Sequence, residues 1–576
     1  MRLFAPLLAG FALLFAPALA AQDVARLDAL MARYHDAGRL SGAVLVARGD
    51  SVLYERGFGE ADREWGVANA PDTRFRIGSV TKQFTAALVL QLVEDGRLAL
   101  DGHVSDYLPD YPAETGRRLT IHHLLSHTGG VPNYTALPGF MDGPARDPFA
   151  TDSFLTVFSG LPLEFEPGAQ FAYSNSGYFL LGAIIERTTG KTYEAALRER
   201  ILVPLGLADT GYDRTGRILG RRAAGYRKAD LGYEHAAYLD DSVPHAAGML
   251  YSTVRDLHRW TRALHAGRPF RRPETLARMT TPVLDGYGYG IGMDEVALGE
   301  RSVRAIKHGG NVNGFAAMLT YLPDDGTTVV VLDNAEGEAG AVARAATQAL
   351  YGAPVDEPRR SFAVAVAAAI EAEGAEAGVA RYRTLKAASP EAYDFGEREL
   401  NTLGYVYIQR GDVDTAVRLF RLNVEMYPDA SNPYDSLGEA LLAAGDSAGA
   451  ATNYGRALEL NPGPNPASAN ARAALERLGV ATTAPPEVVL TEAAAEAYVG
   501  RYALAPTFVI EVTRDGTRLY GQATGQPRFE LFASGGDRFF LRAVDAQLTF
   551  TRAAGGAVAG LVLHQNGRDA PAPRVE

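Results

Sequence analysis

The chain has 576 residues, a formal net charge of −12 and no cysteine. A single hydrophobic core rarely grows beyond about 250–300 residues, so several domains are required. The acidity argues against nucleic acid and anionic membrane partners, and the lack of cysteine excludes disulfides and a lipid-modified N-terminal cysteine.

In chain order, Arg2 precedes an apolar run from Leu3 to Ala18, and Ala18-Leu19-Ala20 ends it. This pattern predicts a signal peptide over residues 1–20, cut before Ala21, with an uncleaved anchor as the alternative. The run contains Pro6 and Pro17, and no later segment reaches about 18 uninterrupted apolar residues, so an integral membrane protein is not expected. The mature chain, with a formal charge of −13 once Arg2 is removed, is expected to be exported to the periplasm or the medium.

Residues 42–47 and 51–57 read as a hairpin joined through Gly49-Asp50. The motif Ser79-Val80-Thr81-Lys82 follows, and residues 81–94 carry the apolar pattern of a largely buried helix ending at Gly96. Three residues apart on a helix, Ser79 and Lys82 share a face about 5–6 Å apart at Cβ, so the amine reaches the hydroxyl. Among apolar residues the charged form of a lysine is disfavoured, and the neutral amine that results can accept the serine proton. Alone, Ser-x-x-Lys equally fits a helix cap beside a surface lysine. The chain has five lysines against 51 arginines, so a chance match is uncommon but not negligible.

His122, His123 and His127 cluster next, but no Asp, Glu or Cys accompanies them and no His-Glu-x-x-His occurs. No metal or other cofactor is expected, and the stretch reads as a structural turn after a helix. After the turn signal Glu166-Pro167-Gly168 comes Tyr173-Ser174-Asn175, in a loop ahead of an apolar helical run over 176–187 closed by Gly190. A phenol near cationic groups has a lowered pKa, so Tyr173 is expected to relay protons to a leaving group and later to activate water. Asn175 offers a donor and an acceptor to a substrate amide.

His308-Gly309-Gly310 lies on a short strand over 306–311, followed by strands over 315–322 and 327–333 and a helix into Tyr351. The two glycines let a ligand backbone approach closely. His308 is expected to donate to a substrate carboxylate or to the Tyr173 oxygen, and to change charge near neutral pH.

Together these motifs resemble the serine hydrolases related to class C β-lactamases and DD-peptidases, a family that includes esterases and D-amino-acid amidases. The likeness spans about residues 24–352 and extends to Leu119-Thr120-Ile121-His122-His123-Leu124-Leu125-Ser126-His127-Thr128-Gly129-Gly130 and to Ala247-Gly248-Met249-Leu250-Tyr251-Ser252-Thr253 with Asp256-Leu257. The resemblance implies that Ser79 is acylated, that Lys82 and Tyr173 exchange its proton, and that Asn175 binds the acyl-side amide. His308, Gly310 and Asn311 would line the substrate, with the amides of Ser79 and Asn311 as oxyanion hole. His308 stands where β-lactamases of the family carry the lysine of Lys-Thr-Gly, which favours a peptidase or esterase. The resemblance also implies an antiparallel sheet packed against a helical region, with the site at their junction.

After Pro358 the composition turns alanine-rich. Leu403, Gly404, Tyr407, Gly411, Ala416, Phe420 and Pro428 are echoed 34 positions on by Leu437, Gly438, Leu441, Gly445, Ala450, Tyr454 and Pro462. That period resembles tetratricopeptide repeats, flanked by further helices near 361–388 and 467–479. The segment is either a spacer or a peptide- or protein-binding groove. Beyond Val488, β-rich runs at 508–512, 518–522, 529–532, 538–541, 547–551 and 560–563 predict a small antiparallel barrel or sandwich.

The expected organisation is therefore an α+β hydrolase domain over 21–355, an all-α repeat region over 356–482 and a small all-β domain over 485–576. The expected function is an exported serine hydrolase that forms an acyl-enzyme on Ser79 and cleaves an amide or ester of a small-molecule or peptide substrate, a D-peptide, a short ester or a β-lactam. The alternative is a binding or scaffold protein that uses the repeats beside a lapsed hydrolase domain.

Overall fold

The computed structural model describes residues 12–575 apart from 230, 356, 462–465, 481–487, 489, 506–507, 542–545, 554 and 566–567. Most of the expected signal peptide, residues 1–11, and the repeat proline Pro462 lie outside the described residues. The chain divides into two compact units at Pro358 and Arg359. No helix among the described residues is long and apolar enough to cross a membrane.

The first unit is built on a six-stranded antiparallel sheet. In chain order its strands are β1 (Gly42–Arg48), β2 (Ser51–Phe58), β3 (Gly292–Leu298), β4 (Arg301–Val312), β5 (Phe315–Leu322) and β6 (Thr327–Asp333). Their spatial order is β3-β4-β5-β6-β1-β2. The early hairpin thus joins the late strands in one sheet, with Gly42 opposite Asp333 and Arg48 opposite Thr327. β1 is buried on both faces, and its period of two assigns the residues to two cores. Val44 and Val46 pack with Leu27, Leu30 and Met31 of the helix Ala12–Asp36 and with Val342 and Ala346 of the helix Ala339–Leu350. Ala43 and Leu45 face the helical region with Phe84, Leu88 and Trp260. There Phe84 stacks on Trp260 with ring centroids 4.1 Å apart, and the indole N–H donates to Gln83 Oε1 at 2.9 Å. Burying each of these large side chains stabilises the fold by about 1.5–3 kcal/mol, so the helix Thr81–Glu94 is rigidly seated.

The second unit begins with helices Ala363–Glu373 and Ala375–Ala388. Helices Glu397–Gln409 and Val413–Met426 then pair, and the pair recurs 34 residues on as Ser431–Ala443 and Ser447–Leu460. The repeat glycines explain the pairing. A methyl group on Gly404 would stand 2.5 Å from the Phe420 ring, and one on Gly438 2.9 Å from the Tyr454 ring. The chain ends in eight sequential antiparallel strands, from Gly500–Ala505 to Arg568–Pro573. The first and last meet, with Val575 N–H donating to Arg501 O at 2.8 Å, so the sheet curls into a near-barrel around Tyr502, Leu519, Phe539, Leu548, Phe550 and Leu561. Its first and last strands escaped the sequence pattern, whose runs covered only the six between.

Candidate active site

Ser79 sits in a single 3₁₀ turn, Gly78–Val80, immediately before the helix Thr81–Glu94. Val80 occupies the N-cap position and no side chain caps the helix, so Ser79 is not a capping residue. The helix holds Lys82 fully buried. Its Nζ lies 2.9 Å from Ser79 Oγ, 2.8 Å from Asn175 Oδ1 and 2.8 Å from the Ala247 carbonyl oxygen.

Burial holds the pKa of Lys82 well below the ordinary lysine value. A neutral amine has two N–H groups and one lone pair. Asn175 Oδ1 and Ala247 O can only accept, so they take both N–H groups, and the lone pair is left for the Ser79 hydroxyl. Ser79 O–H therefore donates to Lys82 Nζ in this state, the arrangement in which the amine can remove the serine proton.

Asn175 is not in a loop, as its sequence context suggested, but opens the helix Asn175–Thr189 behind the N-cap Ser174. Besides accepting from Lys82, it donates through Nδ2 to Asn133 Oδ1 and Thr135 Oγ1, both at 3.3 Å. Its first duty is to orient the lysine.

Tyr173 corrects the expectation of a lowered pKa. Lys82 Nζ lies over its ring, 4.8 Å from the centroid, but a neutral amine supplies no positive charge. Burial dominates and pushes the phenol well above its usual value, relieved in part by a hydrogen bond shared with Ser79. Tyr173 is therefore a neutral phenol, a proton donor in its resting state.

His308 corrects a second expectation. The ring is buried, its Nδ1 lies 2.6 Å from the Gly309 carbonyl oxygen, and its Nε2 lies 2.9 Å from the Tyr287 hydroxyl. The carbonyl requires the proton on Nδ1, so Nε2 accepts from Tyr287. Neither nitrogen donates to Tyr173, whose ring centroid is 6.2 Å away. Desolvation by burial pushes the imidazole down to about 4, so its charge does not change near neutral pH.

The glycines of this strand also act differently from the sequence reading. A methyl group on Gly310 would stand 2.0 Å from the Ile77 carbonyl oxygen and 3.0 Å from the Ser79 nitrogen. A methyl group on Gly78, whose φ is +50°, would lie 2.7 Å from the Asn311 nitrogen. The missing side chain thus admits the chain's own backbone rather than a ligand, and it brings the Ser79 turn against β4. Gly310→Ala is expected to force that turn and strand apart and to lower kcat/KM by about 100-fold or more, the scale of losing one aligned donor. Steady-state kinetics with a chromogenic ester checks this, and near wild-type turnover would contradict it.

Several residues of the site were given no role from sequence. His127 is enclosed, with φ +57°, ring centroids 4.2 Å from Tyr173 and 4.9 Å from Tyr287, and its Nδ1 accepting from Ser174 N–H at 3.2 Å. Tyr178, Asn133, Thr135, the Ala247 carbonyl and Tyr287 complete the surround. His127 and Ala247 lay inside stretches recognised only as resemblances. Tyr287 lay in Gly286-Tyr287-Gly288-Tyr289-Gly290, whose alternation was the available signal. His122 bonds instead to Tyr289 at 2.7 Å, and no cluster of metal-ligating side chains occurs among the described residues.

A matching family model is decisive for membership, since the Beta-lactamase model matches residues 25–353, more than half of the chain. The chain belongs to the Beta-lactamase family. Esterase EstB of Burkholderia gladioli is 41% identical over 207 residues, covering 34% of this chain and 52% of the relative, so the match spans about half of that protein's length. Penicillin-binding protein 4* of Bacillus subtilis (strain 168) is 28% identical over 351 residues, covering 56% of this chain and 75% of the relative. The crystal structure of a penicillin binding protein from Bacillus halodurans matches with a TM-score of 0.51 and 29% identity, covering 56% of this chain and 98% of that one. Residues 484–572 match a domain of unknown function, DUF3471. Membership of the Beta-lactamase family, with relatives named esterase, penicillin-binding protein and D-aminopeptidase, supports a serine hydrolase.

The buried histidines of this unit carry a further consequence. His245, His265 and His308 are each pushed down to about 4 by desolvation. In the unfolded chain they titrate near their ordinary value of about 6.5. Between pH 6.5 and 4 the unfolded state therefore binds more protons, so stability is full above 6.5 and is lost as the pH falls through about 4. Asp333 opposes this, because burial raises its carboxyl to about 6 and the folded state holds that proton first. Burial lowers His122, His123 and His127 as well, so the histidines outnumber Asp333 and the net effect is a loss of stability as the pH falls from 7 to 5. Urea unfolding at pH 7 and pH 5 is expected to show a clearly lower midpoint at pH 5, and equal midpoints would contradict these burial effects.

Proposed function

We propose that the protein is an exported hydrolase that forms an acyl-enzyme on Ser79 and cleaves an amide or an ester. The observation that carries this reading is the Lys82 amine, buried, held by two obligate acceptors and 2.9 Å from Ser79 Oγ.

Ser79 Oγ attacks the substrate carbonyl carbon as its proton passes to Lys82 Nζ. The amides of Ser79 and Asn311, kept close by Gly78 and Gly310, receive the negative charge on the carbonyl oxygen. Tyr173, a neutral phenol, gives its proton to the departing oxygen or nitrogen, and the new charge on Lys82 returns a proton to the phenolate. The C–O or C–N bond breaks and the acyl group stays on Ser79. Water then attacks the ester carbonyl, gives a proton to Lys82, and Ser79 leaves with a proton regained. The named activities of the relatives, esterase and penicillin-binding protein, agree with acyl transfer as the shared step.

Mass spectrometry of the intact protein treated with activated esters and β-lactams tests this. The expected result is one added acyl group, mapping to the peptide that holds Ser79. No adduct from any of a broad panel would overturn the reading.

A further inference from the structure

Resting on that acyl-enzyme reading, we propose that the subsite at His308 takes an uncharged leaving group, such as the alcohol of a neutral ester or the amine of a simple amide. Tyr287 enforces this by occupying the imidazole nitrogen that would otherwise face a carboxylate.

The argument is a count of donors. A carboxylate entering a site with little water needs N–H or O–H groups aimed at it, since an unpaired charge taken out of water is costly. The His308 ring has two nitrogens. Nδ1–H is committed to the Gly309 carbonyl at 2.6 Å, and Nε2 is an acceptor engaged by the Tyr287 hydroxyl at 2.9 Å. Neither has a proton to offer. The next position on the same face of β4 is Gly310, which supplies no side chain. The preceding Lys307 lies on the opposite face by strand alternation and is ion-paired there with Asp294. Lys82 gives both of its N–H groups to Asn175 Oδ1 and Ala247 O. His127 accepts from Ser174 N–H through Nδ1 and so carries its proton on Nε2, which has no partner but is sealed from the site among the Phe171, Tyr173, Tyr178 and Tyr287 rings. The low proton affinity of His308 agrees with this, because the imidazole stays neutral through the physiological range.

The leaving group must lie on this side. Tyr173 is the proton donor to it, and Tyr173 neighbours His308. Asn311, three residues further along β4, marks the carbonyl oxygen, so the acyl part extends beyond it and the departing part lies toward His308.

The test uses two esters of one acid whose phenol leaving groups carry a meta-carboxylate or a meta-carboxamide, which match in size and differ in charge. The wild type is expected to favour the carboxamide in kcat/KM by about tenfold or more. Tyr287→Phe, which frees Nε2, is expected to narrow the ratio, most at pH 5 where the imidazole begins to take a proton. His308→Lys is expected to reverse it. The ratio is internal to each variant, so a general loss of activity does not move it. Equal use of the two esters by the wild type, or a ratio untouched by both substitutions, overturns the subsite assignment. If neither ester leaves an acyl group on the protein, the acyl-enzyme reading itself fails, and the two failures are distinct.

Discussion

Ser79→Ala is expected to lower kcat/KM by about 10⁴-fold or more and to abolish acyl adducts, while leaving thermal unfolding close to wild type. The side chain is only half-buried and makes no cap, so its loss removes one hydroxyl without opening the core. Chemistry rather than folding sets the effect, because no second nucleophile stands within reach of Lys82: its other partners are an amide oxygen and a carbonyl oxygen. Residual hydrolysis from binding and the oxyanion donors sets the floor, as in other hydrolases stripped of their nucleophile. Retention of an acyl adduct in Ser79→Ala would contradict the assignment.

Lys82→Met is expected to lower the acylation rate by about 10³- to 10⁴-fold, the scale of losing a positioned base. Methionine fills similar volume and removes the buried amine, which offsets the desolvation that a lysine suffers there. It also leaves Asn175 Oδ1 and the Ala247 carbonyl without their donor, at about 1–3 kcal/mol for each buried group so stranded. The stability change is the small difference between those effects, whereas the rate change is not offset by anything. The double substitution Ser79→Ala with Lys82→Met is expected to be no slower than Ser79→Ala alone, because the two act as one unit. Single-turnover release of nitrophenolate measures the acylation step directly, and an acylation rate within tenfold of wild type in Lys82→Met would contradict its role as base.

Much of this was legible in the sequence where local pattern and outcome coincide. The helix over 81–94, the strands over 315–322 and 327–333, and the 34-residue pairing are written in periodicity, and the structure keeps those bounds. The strand carrying His308 was legible only in part, since β4 runs from Arg301 to Val312. Its first half, Arg301-Ser302-Val303-Arg304-Ala305, mixes charge and apolar residues and pairs with β3, beyond the pairing of β4 with β5. Residue types at the site were legible too. The lowered proton affinity of Lys82 was legible as well, but the ionisation of Tyr173 and His308 was not, because it depends on who is charged next to whom in three dimensions. A lysine that burial neutralises cannot lower the pKa of Tyr173. A histidine whose two nitrogens are taken by Gly309 and Tyr287 cannot serve as a cation. Gly310 was seen as open space for a ligand, and only folding reveals that Ile77 fills it.

The central claim is that Lys82 rests as a neutral amine, and the chain's five lysines make this directly observable. With ¹³Cε-labelled lysine, a pH titration by NMR gives few enough signals to assign, and Lys82 is the one missing in Lys82→Met. The expected result is one Cε resonance titrating far below the ordinary lysine value of about 10.4 while the others stay near it. A Lys82 signal that titrates with the rest would mean that the amine is charged at rest, and the mechanism built on it would fall.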